Sequence, residues 1–148
     1  MPFTMEMKVF LSQNLLFEAE TIHVPGNIDG EEVIAIMESI LTSIKKLLGI
    51  AEEYEHFDVD IIIHINSAFS VLTQLGVGPE EGFRIEDAGA EWSDFLYDDP
   101  RLEMVRTYVY LKVKQTFDSN SSSAAVIDAI DRQIKELEWR INVTVDPD

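Results

Sequence analysis

The segment EEYEHFDVDIIIH, residues 52–64, holds the densest set of residues able to bind a metal or move a proton. His56, Asp58 and Asp60 alternate, and His64 follows Asp60 by four residues. A zinc site needs three or four converging ligands. The remaining histidine, His23, lies far away in sequence, and the chain has no cysteine. The pattern fits a helix start better. Asp58 stands just before an apolar period, where an N-cap carboxylate accepts unpaired backbone N–H groups, and Asp60 in the first turn suits the positive end of the helix dipole. His64 falls one turn further, on the polar face with Ser67 and Gln74, as an i,i+4 partner for Asp60.

Other chemistry is thinner. GVGPEEG (76–82) is followed by no lysine, and its proline and glutamates do not suit a phosphate loop, so it reads as a turn. The serines of NSAFS (66–70) lack the G-x-S-x-G setting of a nucleophile. Glu91 and Asp94 flank Trp92, but in a chain with 28 acidic residues paired carboxylates have almost no specificity. No residue stands out as catalytic, metal-binding or cofactor-binding, and no enzyme is expected.

Charge is the stronger signal. The net charge is −17. Residues 51–100 carry thirteen acids against one base, Arg84, whereas residues 101–148 carry eight acids and seven bases. Such a field repels nucleic-acid phosphate. It suits a solvated surface, a wall that DNA slides past, or a surface that mimics DNA. No apolar run approaches the ~20 residues that span a bilayer. The N-terminus lacks the basic region and apolar core of a signal peptide, so the reading expects a soluble, intracellular protein.

The elements that would position these residues are mainly helical. A length of 148 residues fits one domain. Apolar residues recur at three- and four-residue steps in four segments. The first runs from about Gly30 to Leu48, with Asp29 as N-cap and Gly49 as its end. The second runs from about Val59 to Leu75, with Gly76 closing it. The third runs from about Pro100 to Phe117, capped by Asp99, and is apolar on so wide a face that it should lie centrally. The fourth runs from about Ser123 to Ile141 at near-heptad spacing, with alternating charges opposite the seam. The expected fold is mainly α: a small bundle of about four helices with a short β or irregular connector at about 77–98. The stretch MKVFLSQNLLFEAETIHV suggests an N-terminal strand segment, and VTVDPD a frayed tail.

Within this frame, five residues are candidate subunit or partner contacts. Trp92 and Phe95 cluster with Tyr97 in the acidic connector, where the alternative is a satellite packing cluster. Trp139 falls on the charged side of the fourth helix, out of step with Ile134, Leu137 and Ile141, and a large ring there suggests a contact surface. Arg132 and Lys135 lie on the same charge-balanced helix, which is better suited to subunit packing than the acidic middle third.

The strings SIKKLLGI (43–50), FDVDIIIHINSAFSVLTQLGVGPEEGF (57–83), WSDFL (92–96), VRTYVYLKVKQTFD (105–118) and IKELEWRINV (134–143) together resemble the head–tail connector, or adaptor, proteins of long-tailed bacteriophages and prophages. The resemblance spans roughly residues 37–143. It implies a small, mainly helical structural protein of the virion, assembled in the host bacterial cytoplasm. About a dozen copies would form a ring beneath the portal protein. The ring would extend the DNA channel and pass the joint to the next head-completion or tail protein, with no membrane partner. Members often carry prolines after the FD that ends helix three; here the chain reads FDSNSSS, so that turn should differ. Residues 1–36 fall outside the resemblance. They are read either as an extension preceding a translation start at Met37 or as a strand segment that meets the portal or a neighbour. Residues 37–143 form the connector domain and 144–148 a tail. The alternative function is an acidic DNA mimic that inhibits a nuclease or DNA-binding protein; it would act as a monomer or dimer, not a ring.

Overall fold

The computed structural model describes residues 37–117 and 123–145. Among them are five helices: α1 (Ile40–Leu48), α2 (Asp58–Gln74), the short α3 (Trp92–Phe95), α4 (Leu102–Phe117) and α5 (Ala124–Val145). The mainly helical expectation holds. The suggested N-terminal strand, and the turn that replaces the prolines, fall outside the described residues.

Helix α1 starts later than its apolar pattern suggests. Met37 and Glu38 are not helical, so the helix predicted from Gly30 does not run into α1. Ser39 is the cap: its Oγ accepts the Thr42 N–H at 3.2 Å. Long-range pairing fixes the boundary. Ser39 bridges Glu91 in antiparallel fashion, the Ile40 N–H donates to the Ala90 carbonyl at 3.0 Å, and the Trp92 N–H donates to the Glu38 carbonyl at 3.2 Å. At the far end Gly49 adopts φ +81° and returns its N–H to the carbonyls of the last turn. Only glycine takes that left-handed conformation without a Cβ penalty.

Helix α2 spans the predicted segment, and Ile61, Ile65, Ala68, Phe69 and Leu72 are buried as their spacing requires. Each such burial contributes ~1.5–3 kcal/mol for the larger side chains. Helix α4 packs against α1, α2 and α5, which is the central position expected of it. At its start Asp99 accepts the backbone N–H of Arg101 at 2.9 Å, the side-chain contact of an N-cap, and its carboxylate also accepts from that guanidinium at 3.0 and 2.7 Å.

Helix α5 runs antiparallel to α4. Tyr108 meets Glu138 and, seven residues further along α4, Gln115 meets Asp131, seven residues back along α5. Ile130, Ile134 and Ile141 are buried in the seam, with Leu137 partly so. The helix persists to Val145, past the predicted end at Ile141. Ile141 is fully buried and anchors the last turn, and Thr144 Oγ1 donates back to its carbonyl at 2.7 Å.

The connector at 77–98 contains no hairpin. It is irregular apart from α3 and the single bridge at Glu91. Two devices pin it to α2. The Asn66 side chain donates to the Ile85 carbonyl at 2.9 Å and accepts the Ile85 N–H at 2.7 Å, matching one backbone unit as a neighbouring strand would. Gly78, at φ +86°, lies so close to the Phe95 ring that a Cβ would clash with it.

Candidate assembly interface

The residues with chemical potential do not converge. Among the described residues no group of three or more His, Cys, Asp or Glu side chains is placed to hold a metal. No hydrogen bond or ion pair joins Asp60 to His64, and His56 stacks edge-on to Phe57 at 4.9 Å. The N-cap of α2 is Phe57, not Asp58. Asp58 instead meets a cation: its Oδ1 lies 2.8 Å from Lys45 Nζ.

That ion pair is the least expected feature of the molecule. Lys45 sits in the last turn of α1, where a lysine ordinarily reaches to solvent, yet only 2% of it is exposed. Its ammonium donates to the carbonyls of Glu52 at 2.9 Å and Tyr54 at 2.7 Å. The Asp58 carboxylate adds an opposite charge as an ion pair, although its Oδ1 is not aligned to accept a hydrogen bond. Lys45 therefore ties α1, the 50–57 loop and the start of α2 together. The only sign in the sequence is a lysine one turn beyond Leu41, beside the apolar face; the loop carbonyls that hold it have no sequence signature.

The five candidate contacts separate into two groups. Trp92 and Phe95 are core residues, 0% and 4% exposed, and so do not present a surface in this conformation; the packing alternative describes them. Trp92 Nε1 donates to Ser43 Oγ at 2.9 Å, and Ser43 in turn donates to the Ile40 carbonyl at 3.0 Å. Arg106 covers the indole at 5.6 Å from its centroid and pairs with Glu38 at 3.1 Å. Phe95 packs on Phe69 and Phe83, with centroids 4.6 and 5.2 Å apart. A connector-borne aromatic is pulled inward because its apolar area outweighs the polar sequence around it.

Trp139, Arg132 and Lys135 are all exposed, Trp139 to 67%. Lys135 pairs with Asp131 at 3.0 Å, and Arg140 with Glu136 at 3.0 Å; exposed i,i+4 pairs of this kind contribute little to stability. Among the described residues Arg132 makes no ion pair. Arg132, Glu136, Trp139 and Val143 recur at four- and three-residue steps, all exposed, on the side of α5 opposite its buried seam.

Helix α2 bears a second exposed apolar site, Val59 at 71% and Ile63 at 58%. Beside it runs an open groove of about 640 Å³, lined by Ile63, Asn66, Ser67, Ser70, Phe83 and Arg84 among others. This groove had no counterpart in the sequence reading, because its far wall comes from the connector. No helix among the described residues is long and apolar enough to cross a membrane.

Among the described residues the bundle exposes large apolar side chains on α2 and α5, which suits it to making contacts. Comparison with known proteins gives the particular kind: the chain belongs to the phage connector protein family, whose model matches residues 40–148. That membership makes it a structural connector and a virion component. No curated protein and no solved structure matches the chain.

Proposed function

We propose that the protein assembles as a ring between the portal and the next head-completion or tail protein, so that the viral duplex passes through its centre. The observation that carries this reading is the family match across residues 40–148, which covers the whole described bundle. The charge distribution supports it. A wall with thirteen acids and one base over residues 51–100 does not hold phosphate, and a channel that bound the duplex would stall it. The exposed tryptophan on the charge-balanced α5 supports the ring, since buried aromatic anchors dominate subunit contacts. Residues 37–143 serve as the assembling unit.

Electron microscopy of the full chain mixed with its portal protein tests this. The expected result is closed rings of the chain seated on the portal. A chain that stays monomeric in that mixture and leaves the portal bare would overturn the proposal.

A further inference from the structure

Two exposed stripes stand on different helices. On α2, Asp60, Ile63, Ser67, Ser70 and Gln74 recur at three- and four-residue steps and are all exposed. On α5, Arg132, Glu136, Trp139 and Val143 do the same. The two stripes are complementary in three respects. One offers a knob, the Trp139 indole, and the other a groove with Ile63 and Phe83 in its walls. Asp60 and Arg132 are opposite charges, and among the described residues neither makes an ion pair. Asp60 precedes Ser67 by seven residues and Arg132 precedes Trp139 by seven, about 10.5 Å along each axis. When the indole sits at the level of Ser67, the guanidinium therefore sits at the level of Asp60.

We propose that these stripes are the two halves of one contact between copies of this chain. Helix α5 of one copy lies parallel to α2 of the next, Trp139 enters the groove beside Ser67, and Arg132 faces Asp60. The contact rests on the reading of the chain as an assembling connector. Because its two halves are different surfaces, it is heterologous: an open series keeps one knob free at one end and one groove free at the other, until it closes on itself.

The natural absence of cysteine allows a direct test in the full chain. Single variants S70C and V143C, both at exposed positions on the two stripes and leaving the indole in place, are mixed and oxidised, alone and with portal present. The expected result is a disulfide-linked dimer in the mixture, little in either variant by itself, and a ladder of multimers in the double variant. Charge reversal supplies a second readout that leaves the indole in place. Arg132→Glu should weaken self-association by at least about tenfold, and adding Asp60→Arg should restore it. Dimers of V143C alone would mean a symmetric contact and overturn the proposal. So would rings seen by microscopy with no mixed crosslink and no effect of R132E; in that case the connector reading stands and the contact lies elsewhere. Absence of both rings and crosslinks would overturn the two together.

Discussion

At the scale of single residues, Lys45 organises more of the molecule than any residue with recognisable chemistry. One ammonium donates to two loop carbonyls and forms an ion pair with the Asp58 carboxylate. Replacing it with methionine keeps the stem's packing but leaves the carbonyls without their donor and the carboxylate without its cation. We expect Lys45→Met to lower the unfolding free energy by about 2–4 kcal/mol, measured by urea denaturation. Asp58 is partly exposed and can be rehydrated, which keeps the figure below that of a fully enclosed pair. The order of residues offered only a lysine beside the apolar face of α1. Asp58 read as a cap because it precedes an apolar period, which is a local role. The observed partners come from three separate stretches that only the folded chain brings together.

At the scale of elements, the apolar steps were readable because they encode packing within one helix. Ile61, Ile65 and Leu72 on α2, and Ile130, Ile134 and Ile141 on α5, are buried as their spacing required. What periodicity could not supply was where α1 begins, since Ser39 and Ile40 are held by Ala90 and Glu91 in the connector. Nor could it foresee that Trp92 would turn inward to Ser43 while Trp139 stayed out. The α4–α5 pair carries a pH-dependent contact. Burial, and then the Glu138 carboxylate beside it, hold the Tyr108 phenol well above its ordinary range. A raised value means that folding favours the protonated form. The contribution is therefore complete below the unfolded phenol's value of about 10 and is lost as the pH rises above it. Melting temperatures of the native chain should fall between about pH 9 and 11 more steeply than those of Tyr108→Phe, which lacks the titrating hydroxyl. Parallel curves would show that the phenol does not govern alkaline stability.

At the scale of the whole molecule, the dominant quantity is the charge of −17. Copies brought side by side repel over long distances, whereas a contact pair such as Arg132 and Asp60 acts at short range. Salt therefore acts mainly on the repulsion. Raising the ionic strength from about 0.01 M to about 0.15 M shortens the screening length from ~30 Å to ~8 Å. Self-association measured by sedimentation should strengthen over that range. A monotonic weakening would mean that attraction between opposite charges, rather than relief of the net charge, controls assembly.

The placement of the two tryptophans, the only ones in the chain, gives the molecule a pair of internal reporters. Trp92 is sealed beneath Arg106 with its ring nitrogen bonded to Ser43, so its emission follows the integrity of the core and is shielded from dissolved quenchers. Trp139 stands in water, and its colour and accessibility follow only what settles on that side of α5. Folding and docking thus have separate optical signatures in the unlabelled protein.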